Sequence, residues 1–140
     1  MPKALLVALD FSAGSRRALD LALAWCSNAE ITALHVVDTQ FASRVEAEGL
    51  GVSAEVITKL RARAAEEFGW VVQEKGGSRF DTMVVEGIPF VEIVKVAKDL
   101  DVDMIVMGMH RTKFRVDEIL FGGTAEKVLR GSHCPVLCVP

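Results

Sequence analysis

Residues 81–108, DTMVVEGIPFVEIVKVAKDLDVDMIVMG, change their hydrophobic period twice. DTMVVE (81–86) and DMIVMG (103–108) are short, mostly continuous apolar runs, the pattern of strands buried on both faces. Between them Phe90, Ile93, Val94, Ala97 and Leu100 fall on one stripe of a helix. Pro89 opens that helix, in a first turn where its missing N–H would be unpaired anyway. A strand, a helical crossover and a second strand make a parallel pair with a right-handed connection.

The same alternation extends in both directions. ALLVAL (4–9), ITALHVV (31–37) and PVLCV (135–139) supply three more strand-length runs. Leu19, Ala22, Leu23 and Cys26 form a helical stripe behind a Ser12 cap, and Val56, Leu60, Ala64, Phe68 and Val71 form another behind Ser53. Ala125, Val128 and Leu129 mark a shorter helix that ends near Gly131. The expectation is an α/β fold over residues 1–140, a single domain whose doubly wound, five-stranded parallel sheet carries helices on both faces. The stretch Asp38 to Val52 is longer than usual for a connection in such a fold, so it reads as either a functional flap or a disordered segment.

Composition narrows the function classes. Of 140 residues, 51% are hydrophobic and 25% charged, and no apolar run approaches the length of a membrane span. The amino end lacks the features of a secretory signal, so a cytoplasmic location is expected. A net charge of −3 lacks the basic footprint of a nucleic-acid binder. Cys26, Cys134 and Cys138 are an odd number that suits a reducing compartment. His133, Cys134 and Cys138 do not read as a metal site, because four residues of strand span about 13 Å, too far for two thiolates to share one ion.

Ligands of doubly wound sheets bind beyond the carboxyl ends of the strands. Polar and glycine signals gather there: Asp10 to Ser12 after the first strand, His35 to Asp38 at the second, and Met107 to Arg111 at the fourth. Gly122, Gly123 and Thr124 open the last helix, where free N–H groups and a partial positive charge suit an anion. Each signal has a plainer reading beside it: Asp10 as a turn residue, His35 and His110 as structural or solvent-facing, and Arg111, Lys113 and Arg115 as a solvated loop.

Taken together, VALDFSAGSRRAL, ITALHVVD, VVEGIPFVEIVKVAKDLDVDMIVMG and FGGTAEKVLRGSHCPVLCVP resemble the universal stress protein family over essentially the whole chain. The resemblance implies an adenine-nucleotide alpha-hydrolase-like sheet in the order 3-2-1-4-5 and homodimers built through the last strand, here residues 134–140. In one branch it implies ATP, with or without Mg²⁺, held by a Gly-x2-Gly-x9-Gly-(Ser/Thr) signature; a second branch lacks the signature and binds no ATP. Gly108 matches the first glycine, Arg111 occupies the second position, ten residues separate Arg111 from Gly122, and Gly123 stands where Ser or Thr is expected, one place before Thr124. Some nucleotide-binding members have a similar Gly-x-His-Arg form. By this resemblance adenine lies near Asp10, Val36 and Val37, Met107 and Gly108 lie beneath the ribose and phosphates, and Arg111, Gly122, Gly123 and Thr124 meet the phosphates. An arginine at 111 restricts positive φ, yet offers a guanidinium fork to phosphate oxygens.

Three functions follow as expectations: a nucleotide-binding regulator of the stress response, a dimeric interaction module without nucleotide, and a slow ATP hydrolase. The third has least support, since the sequence has no Gly-Lys-(Ser/Thr) loop and no nucleophile paired with a base, and no residue is assigned as catalytic or metal-binding.

Overall fold

The computed structural model describes residues 1–76, 79–109 and 123–140. Its elements run β1 (Ala4–Ala8), α1 (Ala13–Trp25), β2 (Glu30–Asp38), α2 (Thr39–Ala47), α3 (Ser53–Glu74), β3 (Asp81–Gly87), α4 (Pro89–Asp99), β4 (Met104–Gly108), α5 (Gly123–Gly131) and β5 (Val136–Val139). The five strands form one sheet in the order β3-β2-β1-β4-β5, every pair parallel. The order expected from the family resemblance and the doubly wound reading are both met.

Alternation along each strand divides the core in two. Leu5 and Val7 of β1 and Leu9 just beyond it, with Ile31, Ala33 and Val106, pack against Leu19 and Leu23 of α1 and Phe68 and Val71 of α3. Leu6 and Ala8, with Leu34, Ile105 and Met107, pack on the opposite face against Ile93, Val96 and Ala97 of α4 and Val128 of α5. Strands covered on both faces have no polar side to show, which explains the continuous apolar runs of β1 and β4; the edge strands β3 and β5 have no buried residue, so the expectation of burial on both faces is not met for 81–86. Leu129 of the α5 stripe is instead 52% exposed.

Of the two readings of Asp38 to Val52, a functional flap or a disordered segment, the second is overturned, because nine of its residues form α2. The Asp38 carboxylate accepts the Phe41 N–H at 3.0 Å and caps that helix. Ala42, fully buried, seats α2 against the body of the protein. A short amphipathic helix of this kind is stabilised by packing more than by propensity, and a short window offers little period to read.

Two features fix the ends of the sheet. At the amino edge, Asp103 Oδ2 accepts the N–H groups of Lys3 (2.7 Å) and Ala4 (2.9 Å), tying the entry of β4 to that of β1. Those two main-chain donors hold the Asp103 carboxyl below its ordinary pKa. At the carboxyl edge the winding reverses: β2 and β3 lie to one side of β1, and the chain then crosses back to lay β4 on the other. The crevice of a doubly wound sheet opens at that reversal.

Candidate functional site

A cavity of about 330 Å³ lies at the β1/β4 reversal, in the size range of small-ligand sites. Its apolar wall comes from Leu34 and Val36 of β2, Ile93 of α4, Met107 of β4 and Ala125 of α5. Phe41 of α2 and Leu60 of α3 line it as well. Seven sequence-predicted residues, Asp10, Val36, Val37, Met107, Gly108, Gly123 and Thr124, line this one cavity. Arg111 and Gly122, with Lys113 and Arg115, lie outside the described residues.

The exit of β1 is built by short-range contacts. Asp10 Oδ1 accepts the Ser12 N–H at 2.9 Å, closing a two-residue turn of the kind aspartate favours. Phe11 lies between them at φ 66°, a left-handed conformation that costs a bulky residue about 1–3 kcal/mol. Its ring offsets that cost by packing on His35 (4.7 Å between centroids) and edge-on to Phe68 (5.1 Å). Ser12 then caps α1 by accepting the Ser15 N–H, worth about 0.5–2 kcal/mol. Buried Ser15 returns its hydroxyl to the Ser12 carbonyl at 3.1 Å and reaches the cavity wall.

Gly108 has a structural reason that sequence reasoning missed. A Cβ there would stand 2.5 Å from Gly14 C and Ser15 N, so its bareness lets the first turn of α1 rest on the end of β4. A Cβ on Gly123 would meet nothing within 4 Å among the described residues. Gly123 and Thr124 begin α5, whose opening N–H groups have no partner within the helix.

Main-chain parity distinguishes Val36 from Val37. The Leu9 N–H donates to the Leu34 carbonyl at 2.8 Å, so alternate residues of β2, Leu34 and then Val36, turn their backbone groups toward β1. β1 ends at Ala8, opposite Leu34, while β2 continues to Asp38. The N–H and C=O of Val36 therefore face the cavity beyond the end of β1. Val37 lines the cavity too, but its backbone groups turn toward β3 and its side chain is buried.

Among the described residues, the charged side chains on the cavity wall are the carboxylates Asp10 and Asp38, and no described Lys or Arg lines it. Leu34, Leu60, Ile93 and Ala125 were not foreseen as lining residues; Leu60, Ile93 and Ala125 fall on ordinary core stripes in the sequence, and only the fold brings them to a crevice. Phe41 was hidden in the stretch corrected above, where Asp38 three residues before it is the one available signal.

The profile of the Universal stress protein family matches residues 1–140. Universal stress protein MJ0577 of Methanocaldococcus jannaschii is 34% identical over 155 residues, covering 99% of this chain and 95% of that protein. Its solved structure superposes with a TM-score of 0.79 over 98% of this chain and 94% of that one. MJ0531 of the same organism is 37% identical over 115 residues, 80% of this chain but 65% of that protein. A universal stress protein of Archaeoglobus fulgidus, solved in complex with dAMP, shares the fold at TM-score 0.67, with 22% identity and coverage of 99% and 98%.

Proposed function

The chain belongs to the universal stress protein family, and on that premise we propose that it binds an adenine nucleotide, ATP foremost, in the cavity at the β1/β4 reversal. One observation carries the reading: the apolar slot has a donor and an acceptor of Val36 at one end and the start of α5 at the other. An adenine ring needs a flat apolar wall and a neighbouring donor and acceptor for its own amino group and ring nitrogen. Leu34, Ile93 and Met107 supply the wall, and the Val36 N–H and C=O supply the pair. Asp10 stands where a carboxylate accepts from a base amino group or a ribose hydroxyl. The phosphates run away from the two carboxylates toward Gly123 and Thr124, whose helix-start amides favour an anion. Arg111 and Gly122 complete the phosphate side in this reading. The dAMP complex of the Archaeoglobus fulgidus relative supports the ligand class.

Occupancy of the cavity joins α2, α4, α5 and the ends of β1, β2 and β4 around one molecule, which gives a regulatory protein a surface that depends on its ligand. The same reading includes a homodimer through residues 134–140. Along β5, Pro135 and Val139 turn their carbonyls toward β4, so Val136 and Cys138 turn their backbone groups outward from the sheet edge. Such an edge is normally covered, and a second copy covers it by two-fold pairing.

The test is isothermal titration of the full chain with adenosine, AMP, ADP and ATP, with and without Mg²⁺. Saturable binding of adenosine that strengthens with added phosphates is the expected result. Flat titrations with all four would refute the reading and leave a dimeric interaction module.

A further inference from the structure

Building on the adenine reading, we propose that His35 is a positioning residue that stops the β1–β2 ladder one rung early and so keeps the Val36 main chain open for the base. In a parallel ladder running on from the Leu9 N–H to Leu34 C=O bond, the next rung sends the Val36 N–H to the Leu9 carbonyl. That rung is not made. The Leu9 carbonyl is instead held by His35 Nδ1 at 2.7 Å. The carbonyl accepts, so Nδ1 carries the proton.

The direction of this bond matters as much as its existence. His35 belongs to the side of the sheet where Phe11 and Phe68 pack, and its ring stacks at a tilt on Phe11. A carbonyl drawn to that ring leaves the plane of the ladder. The chain after Leu9 then departs through the left-handed Phe11 and the Asp10–Ser12 turn. Two contacts of one imidazole, to the Leu9 carbonyl and to the Phe11 ring, thus hold β1 away from Val36. Were the imidazole absent, the shortest repair for the buried Leu9 carbonyl is the Val36 N–H, and the base-recognition edge would close. His35 touches no ligand in this account; it acts through Leu9 and Phe11.

The test is amide hydrogen exchange by NMR on the full chain, together with titrations of adenosine and of 1-deazaadenosine, which lacks the ring nitrogen that accepts the Val36 N–H. In the free wild-type protein the Val36 amide exchanges faster than those of Leu34 and Val37, and adenosine protects it. In His35→Phe, which keeps an aromatic ring but no donor, Val36 exchange slows about tenfold, adenosine affinity falls about tenfold, and the preference for adenosine over 1-deazaadenosine vanishes. His35→Asn, whose amide nitrogen stands near the place of Nδ1, keeps all three wild-type properties. A wild-type Val36 amide as protected as that of Leu34 overturns the proposal, and this needs no variant to fold. Unchanged Val36 exchange in His35→Phe overturns it too. If exchange behaves as stated while wild type ignores adenosine, the ligand reading fails and the role of His35 at the β1 exit stands.

Discussion

Replacing Gly108 by alanine tests whether this glycine serves packing. The added Cβ would lie 2.5 Å from Gly14 C and Ser15 N and 2.9 Å from Gly14 O, all main-chain atoms of the first turn of α1. Against the 3.4 Å where ordinary contact begins, the shortfall is about 0.9 Å. No side chain can rotate aside, so α1 must lift from β4, carrying buried Ser15 and its cap with it. Overpacking costs about 1–3 kcal/mol, and obstruction by backbone sets the expectation at about 3. With a urea slope of about 2 kcal/mol/M, the unfolding midpoint falls by about 1.5 M. Gly69→Ala in the middle of α3 is the control: its Cβ meets nothing within 4 Å, and it should gain about 0.5–1 kcal/mol from the lower entropy of the unfolded chain. A Gly108→Ala midpoint within about 0.3 M of wild type, at unchanged slope, would refute the packing argument.

Three further outcomes are expected. Asp10→Asn keeps the acceptor for the Ser12 N–H, while adenosine and ATP both lose about 1–3 kcal/mol of binding in calorimetry; a loss confined to ATP contradicts a base or ribose role. Val136→Pro removes an outward N–H from the β5 edge and leaves the inward-facing groups of β5 to β4, so light scattering should find monomers with near-native stability; persistent dimers move the interface elsewhere. Asp103 has a folded-state pKa below its ordinary value of 3.8, so its contribution to stability is complete above that value and disappears as the pH falls through the depressed one. The stability gap between wild type and Asp103→Asn should therefore be constant near neutrality and narrow below pH 3.8; a gap independent of pH rules out the two main-chain bonds as its source.

β1, β2, β4 and three of the longer helical stripes were legible because burial and a repeated 3.6-residue period leave strong marks in sequence, whereas β3 and β5, at the sheet edges, were legible as apolar runs although none of their residues is buried. The Ser12 cap and Pro89 at the head of α4 were legible for local reasons that need no tertiary context. α2 was not, since nine residues with one fully buried alanine have little period to show. At the site, Asp10, Val36 and Gly108 could be named from their places at strand ends, but the reasons differ from residue to residue. Gly108 is bare because of Gly14 and Ser15, 93 or more positions earlier in the chain. The distinction between Val36 and Val37 depends on which residue of β2 opposes the last residue of β1, a register that no local pattern encodes.

The placement of β1 also bears on how the chain is made. Leu5 pairs with Ile31 and with Met104, neighbours separated from it by 26 and 99 residues. At about 5–20 residues per second of synthesis, the second partner emerges about 4–15 s after the first. For that interval the most apolar strand of the protein has one side satisfied and the other bare. A strand edge of that kind invites pairing with whatever chain lies nearby. Newborn copies are thus most vulnerable to aggregation before β4 arrives, and a chaperone that shields the β1 edge would raise the yield of folded protein more than one acting on the finished chain.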